Sequence, residues 1–464
     1  MNTTTNHPEL EVSLPLSVHF QALQEKINTK TVKVGIVGLG YVGLPLAVEF
    51  AKAGIDTLGF DVSPEKVVQI NAGVNYIGDV KDEELREAVT VGKLKATYTW
   101  EAGKNVDVFI ICVPTPMSRH KDPDVTYIEK ASEAIANVLR PGQLVILKST
   151  TYPGTTEQVV QPFLDKTGLK LGEDYFLAYS PERVDPGNET WHTGNTPIVV
   201  GGVTTACLAL ATATMKLFVG HVHQVSSPKV AEMEKLLENT FRSVNIALVN
   251  ELAQLCDRMG GINMWEVVEA ASTKPFGYMK FTPGPGVGGH CIPIDPYYLS
   301  WLARKYDFET SFITLAAKTN EAMPFYVVDA AIRAIAEQPV ALKDAHVLVM
   351  GATFKKDVAD ARHSLAEPIL RLLRDKNVKN ITLTDPMVDE FTFDWSNGQA
   401  ETIRTEPLTS ALVASASVVI LITDHTDFDY DMVAQHAKHI VDTRNAFKDV
   451  VSKDHIVLVG GGQH

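Results

Sequence analysis

The chain has 464 residues, too many for one hydrophobic core, and therefore divides into two or three domains. Lys plus Arg total 42 against 56 Asp plus Glu, and the net charge of −14 disfavours nonspecific attraction to nucleic acid or to an anionic membrane surface. The four cysteines, Cys112, Cys207, Cys256 and Cys291, are too sparse for a disulfide framework and lack metal-ligand spacing, which fits a reducing cytoplasm and no metal site.

The first thirty residues are polar and irregular, with one short helical pattern at 17–28, and are set apart as an N-terminal extension. They contain no basic stretch followed by an apolar one, and nowhere does the chain reach the run of about 18 apolar residues that spans a bilayer. Neither secretion nor membrane insertion is expected. From Thr31 the pattern changes: VKVGIV at 32–37 has strand character, a glycine turn follows, then LPLAVEFAKAG with helical periodicity and DTLGFD at 56–61 as a second strand. Further apolar strands are expected at 106–113, 144–148 and 176–179. Strands alternating with helices imply a parallel, doubly wound sheet.

From 227 to 259 the chain lacks glycine, and after Pro228 it lacks proline, while apolar residues recur at helical spacing. The pattern predicts one helix, with Pro228 in its first turn and Gly260-Gly261 as its stop. A helix of about 30 residues spans roughly 45 Å, enough to bridge two domains and to supply a dimer seam. After a helical stretch at 319–337, a second α/β pattern runs through 346–351, 381–386, 417–423, 439–443 and 456–459. The expected class is α/β, with two doubly wound, Rossmann-like parallel-sheet domains joined by a long central helix. The expected boundaries are 1–30, 31–226, 227–338 and 339–464.

Gly38-Leu-Gly40-Tyr41-Val42-Gly43 lies between a predicted strand and helix, with Asp61 at the end of the next strand. Gly38 permits the tight turn, Gly40 lets a pyrophosphate reach the helix N-terminus, and Gly43 lets helix pack on strand. An acid at Asp61 hydrogen-bonds a ribose 2′-hydroxyl and repels a 2′-phosphate, favouring NAD over NADP. A flavin or another adenosine ligand is the alternative. Lys235 and Asn239 share a face of the long helix. Glu182 and Thr150 follow strands of the first domain, where open α/β sheets place ligands. Cys291 lies in the Gly/Pro-rich run from Phe281 to Asp295, which presents a thiol on a loop beside a carboxylate. Taken singly, a loop cysteine is more often a buried inert thiol, and the polar residues are more often simply solvated. Together they form a set able to oxidise an alcohol past the aldehyde: hydride to NAD, capture of the aldehyde by the thiolate, a second hydride, then hydrolysis. A two-electron hydroxyacid-type dehydrogenase and a catalytically silent NAD or nucleotide-sugar binding protein are the competing readings; neither gives Cys291 a role.

GLGYVGLP, the CVPTP strand end, KSTTYPGTTE, SPERVDPGN, the KLLENTF helix, GGHCIPIDP and FKKDVADAR occur in this order, and with them the chain resembles the UDP-glucose/GDP-mannose dehydrogenase family over nearly its whole length after Thr31. The resemblance implies an N-terminal NAD-binding domain, a central helical dimerisation region with the cysteine loop, and a C-terminal domain for the UDP-sugar. It makes Cys291 the nucleophile, places Lys235 and Asn239 at the oxyanion, has Asp295 and Thr150 position water, and makes Glu182 the catalytic glutamate. It implies NAD contacts at Gly38, Gly40, Tyr41, Val42, Gly43, Asp61, Lys66, Thr115, Thr150 and Arg362. Substrate contacts follow at Glu182, Arg183, Lys235, Asn239, Phe281, Gly284, Gly288 and Lys355. Pro186 stands where the UDP-glucose and GDP-mannose branches carry a second glutamate, Ile294 where they tend to carry lysine, and Ala361-Arg-His-Ser-Leu where Arg-Glu-Ser-Pro is usual. The first two departures resemble the branch that oxidises UDP-N-acetylhexosamines, and GPGVGGHCIPIDPYYL with TNEAMPFYVV most resembles its UDP-N-acetylglucosamine members. The resemblance thus implies a cytoplasmic, homodimeric or larger enzyme supplying a surface-polysaccharide precursor.

Overall fold

A computed structural model describes residues 17–118, 121–185, 187–188, 190–394 and 399–462; residues 1–16 of the expected extension and Pro186 lie outside them. The chain forms two compact units that divide after Leu237, within the long helix.

The first unit is built on an eight-stranded sheet. Its strands are β1 (Lys33–Val37), β2 (Asp56–Phe60), β3 (Leu94–Thr97), β4 (Val108–Ile111), β5 (Gln143–Leu147), β6 (Tyr175–Tyr179), β7 (Ile198–Gly202) and β8 (Val222–Val225), in the order β3-β2-β1-β4-β5-β6-β7-β8. The first six follow the doubly wound dinucleotide-binding order. Successive side chains of the central strands enter different cores: Val34, Ile36, Val108 and Ile110 on one face, Val37, Phe109, Ile111 and Val145 on the other. Burial on both faces makes such strands continuous apolar runs, and the expected ones are found. β6 and β7 pair antiparallel, a local departure from the parallel pattern.

The helical pattern at 17–28 is a helix, Val18–Asn28, whose Phe20, Leu23 and Ile27 are buried in the first unit's core. Ser17 Oγ caps it by accepting the Phe20 N–H, and the Phe20 ring meets Phe176 edge-on. This part of the polar extension is therefore a packed element, because three apolar residues at helical spacing give it a stripe to bury.

The long helix spans Pro228–Met259, ended by Gly260 and Gly261 with φ of 70° and 73°. In the second unit, helix Ser311–Ala336 starts earlier than the expected stretch and carries Pro324 within it. The second sheet contains β9 (His346–Met350), β10 (Asn380–Thr384), β13 (Val418–Leu421), β14 (Ile440–Asp442) and β15 (Ile456–Leu458), all parallel, in the order β10-β9-β13-β14-β15. A separate antiparallel pair, β11 (Glu390–Asp394) and β12 (Ala400–Arg404), drops Phe391 and Phe393 onto the core beside it. Among the described residues no helix is long and apolar enough to cross a membrane.

Candidate active site

The turn after β1 meets the physical demands of a dinucleotide. Gly38 has φ of 92°, and a Cβ there would lie 2.7 Å from the Cys112 carbonyl oxygen. A Cβ at Gly43 would lie 1.8 Å from the Gly38 carbonyl oxygen. Both positions are closed to side chains by the protein's own backbone. Gly40 differs: a Cβ there meets nothing within 4 Å, so its small size keeps space free rather than relieving a clash. Helix Gly43–Lys52 begins at Val42 with no side-chain cap, which leaves the positive end of the helix to an anion. Exposed Tyr41 lies on this turn. At the end of β2, Asp61 accepts the N–H groups of Leu39 and Ser63, each at 2.9 Å. Lys66 Nζ lies 3.9 Å from Asp61, and Tyr76, which the sequence did not single out, donates to the Leu39 carbonyl oxygen. These residues fit NAD: a free space over Gly40, an uncapped helix end and an acid at the ribose position.

The carboxyl ends of β4, β5 and β6 hold a second group. Thr115 Oγ1 donates to the Thr150 carbonyl oxygen at 2.7 Å, which ties two expected NAD contacts together. Glu182 Oε1 accepts the N–H groups of Arg183 and Val184, and Glu182 Oε2 lies 3.3 Å from Lys148 Nζ. Burial alone would raise the Glu182 carboxyl, but Lys148, the two N–H groups and Lys235 hold it below the usual carboxylate range. The Arg183 guanidinium donates to the Pro197 carbonyl oxygen and lies 3.7 Å from Glu234. Lys235 is buried, one turn before Asn239 on the long helix. Near its start, that helix pins the loop 151–156 through buried Glu232, which accepts the N–H groups of Gly154 and Thr156 and the Thr156 hydroxyl.

In the second unit Cys291 is exposed, whereas the thiols of Cys112, Cys207 and Cys256 are buried. The Cys291 carbonyl oxygen accepts the N–H groups of Ile294 and Asp295, so the thiol sits on the turn that opens helix Asp295–Ala303. Buried Asp295 accepts a 2.5 Å hydrogen bond from Asn239 Nδ2. The structure therefore brings Cys291, Asp295 and Asn239 together. The preceding loop is held by Asn250, whose side chain accepts the Gly284 N–H and donates to Asn320, and by an edge-on contact between Phe281 and Phe241.

That loop packs against the 353–364 segment that carries Lys355 and Arg362. A Cβ at Gly288 would lie 3.1 Å from the His363 carbonyl oxygen, and the Gly289 N–H donates to that same oxygen. His290 bonds Asp360 at 3.0 Å, and the Arg362 guanidinium grips Asp360 with two further hydrogen bonds. Burial alone would raise the Asp360 carboxyl, yet Arg362 and His290 hold it well below the usual range. Gly284 faces Arg444, whose Nη1 would lie 2.9 Å from a Cβ there. Lys148 in the first unit and His290, Asp360 and Arg444 in the second were not expected among these groups. Lys148 left one signal, a charge ending the apolar run of β5; the others depend on contacts between distant segments.

The NAD binding domain of the UDP-glucose/GDP-mannose dehydrogenase family matches residues 32–219, its central domain 229–322 and its UDP binding domain 348–449. The UDP-N-acetyl-D-glucosamine 6-dehydrogenase of Pseudomonas aeruginosa is 40% identical over 361 residues, 77% of this chain and 84% of that protein. The UDP-N-acetyl-D-mannosamine dehydrogenase of Pyrococcus horikoshii is 36% identical over 423 residues, 90% of this chain and 96% of that protein. A solved structure of UDP-D-ManNAc dehydrogenase from Pyrococcus horikoshii aligns with a TM-score of 0.84 at 35% identity, covering 93% of this chain and all of that one. The chain belongs to the UDP-glucose/GDP-mannose dehydrogenase family and is an NAD-dependent UDP-sugar dehydrogenase.

Proposed function

We propose that the chain oxidises the C6 hydroxymethyl of UDP-N-acetylglucosamine to the carboxylate, in the cytoplasm, as a precursor for a surface polysaccharide. The observation that carries the four-electron reading is the Cys291 turn: an exposed thiol four residues before a buried carboxylate that is bonded to Asn239. When bound, NAD supplies the electron sink, taking one hydride at the alcohol stage and one at the aldehyde stage. Gly38, Gly40, Tyr41, Val42 and Gly43 would hold its pyrophosphate, Asp61 and Lys66 its ribose, and Thr115, Thr150 and Arg362 would complete its contacts.

Cys291 Sγ adds to the aldehyde carbonyl as a thiohemiacetal; loss of the second hydride leaves a thioester, and water cleaves its C–S bond to restore the thiol. Lys235 and Asn239 stabilise the oxyanion of each adduct, Asp295 and Thr150 hold the water, and Glu182 accepts a proton. The net reaction consumes one water and two NAD and yields the carboxylate, two NADH and three protons. Arg183, Phe281, Gly284, Gly288 and Lys355 would bind the UDP-sugar. Ile294 in the cysteine loop supports an N-acetylhexosamine, and the Pseudomonas relative supports the choice of N-acetylglucosamine; the mannosamine relatives favour the 2-epimer as the second reading. NADH yield measured with UDP-glucose and with the UDP-N-acetyl derivatives of glucosamine, galactosamine and mannosamine decides. Two NADH per acid are expected with UDP-N-acetylglucosamine as best substrate, while one NADH with an aldehyde or ketone product would sink the mechanism.

The long helix carries Met233, Leu237, Phe241, Leu248, Leu255 and Met259 exposed on one face. A second copy of the chain covering this stripe would explain an apolar surface of that length. Paired Leu248→Glu and Leu255→Glu substitutions should reduce the mass measured by light scattering to that of a single chain.

A further inference from the structure

Lys148 is 2% exposed, and a buried ammonium costs several kcal/mol unless it is paired. The fold does not call for it: β5 is a central parallel strand buried along its whole length, and an apolar residue would end it at lower cost. Instead the lysine stands at the carboxyl edge of the sheet, where ligands bind in open α/β folds. There its ammonium donates to the Pro181 carbonyl oxygen at 3.0 Å and pairs with Glu182 Oε2 at 3.3 Å.

The two oxygens of Glu182 are used differently. Oε1 is taken by main chain, accepting the N–H groups of Arg183 at 2.8 Å and Val184 at 2.9 Å. Those two main-chain bonds leave Oε2 aside, and it is the oxygen that Lys148 touches. We propose that Lys148 is a positioning residue for the reaction: it fixes the Glu182 carboxylate in one orientation and as an acceptor, so that Oε2 takes a proton from the reacting oxygen rather than delivering one. The inference rests on the assignment of Glu182 to the chemistry made above. Lys148 is held by the Pro181 carbonyl oxygen and Glu182, which separates its role from the oxyanion role given to Lys235.

The groups around Glu182 come from four elements. Lys148 follows β5, Lys235 comes from the long helix, and Cys112 follows β4 as a thiol that burial pushes up to about 12, so it adds no charge. The fourth is Glu182's own loop, whose Arg183 guanidinium is directed to Pro197 and Glu234. Without Lys148, the desolvated carboxylate keeps Lys235 and two N–H donors, and burial gains weight against its charge.

The test compares Lys148→Met, Lys148→Gln and Lys148→Arg for NADH formation against pH with the best UDP-sugar, and for infrared absorption of a protonated carboxyl. Lys148→Gln removes the charge but keeps a donor for Pro181, and NAD titration by fluorescence verifies that it folds. In the two neutral variants the acid limb of kcat should move up by about 1–3 pH units, with activity recovering at high pH and KM changing less than kcat. Lys148→Arg should keep the wild-type limb. At a pH below the shifted limb but above the wild-type one, Lys148→Gln should show a protonated carboxyl band that wild type lacks and that disappears when Glu182→Gln is added. Loss of kcat by the same factor at every pH, with no such band, would mean that Lys148 only supports the loop and would overturn the inference. Unimpaired turnover of Glu182→Gln alone would instead remove the assignment of Glu182, whatever Lys148 does.

Discussion

The two sheets place an aspartate at equivalent positions and use it in opposite ways. Asp61 follows β2, the neighbour of β1; Asp385 follows β10, the neighbour of β9. Each first strand also leads into a glycine of positive φ, Gly38 at 92° and Gly351 at 93°, packed too tightly for any side chain. Beyond that point they diverge. In the first unit a short glycine turn runs into an uncapped helix, and Asp61 takes only one N–H from it, that of Leu39. In the second, Asp385 accepts the N–H groups of both Ala352 and Thr353 and bonds the fully buried His425 ring. Residues 352–365 then form a loop, and a helix begins only at Ala366. The first turn leaves main-chain donors for a ligand, whereas the second spends those of Ala352 and Thr353 on Asp385. Shared architecture does not assign a ligand, whereas the polar groups each edge leaves unused do.

The largest effect should come from the thiol, which belongs to the second unit. Cys291→Ala should lower acid formation by about 10³-fold or more while NAD affinity, to which Cys291 is assigned no contact, stays unchanged. A parallel loss of NAD binding would break the division of labour. A sharper probe is Gly40→Val. Because a Cβ there meets no protein atom, thermal stability should hold, while the NAD Kd should rise by about 10²-fold, equivalent to roughly 2.7 kcal/mol. If stability fell and affinity did not, the space over Gly40 would have no ligand to hold.

Sequence disclosed most where one residue type answers to one local demand. Gly38, Gly40 and Gly43 each have a separate backbone reason, and central strands buried on both faces are unbroken apolar runs. It disclosed less where structure depends on partners. β3 and β8 are four-residue strands, β8 with a polar centre, His223-Gln224, and the β11–β12 pair declares itself only by alternating Phe391 and Phe393. Asn239 was expected as a polar group on a helix face, but its bond to Asp295 spans 56 positions, and the His290–Asp360 pair spans 70. No local pattern encodes such pairings.

The smallest expected effect tests the aspartate comparison itself. Burial alone would raise the Asp385 carboxyl, yet the His425 ring and the N–H groups of Ala352 and Met387 bring it below the usual range. His425 Nδ1 accepts the Asp357 N–H, which leaves its proton on Nε2, facing Asp385. A carboxyl depressed in the folded state contributes stability that is complete above its unfolded value of roughly 3.9 and is lost as pH falls through the lower folded value. Asp385→Asn should therefore destabilise the second sheet by about 1–3 kcal/mol at pH 7, and should weaken the acid dependence that wild type shows below about pH 4. Hydrogen exchange in β9 and β13 measures this locally, and NAD affinity should not change. Asp61→Asn should do the reverse, because its side chain is 8% exposed where that of Asp385 is 0% and an acceptor remains open to a ribose. Its cost should fall on NAD affinity and on the preference for NAD over NADP, with little change in exchange. If Asp385→Asn weakened NAD binding and left β9 and β13 protected, the two aspartates would have exchanged the roles that their surroundings assign them.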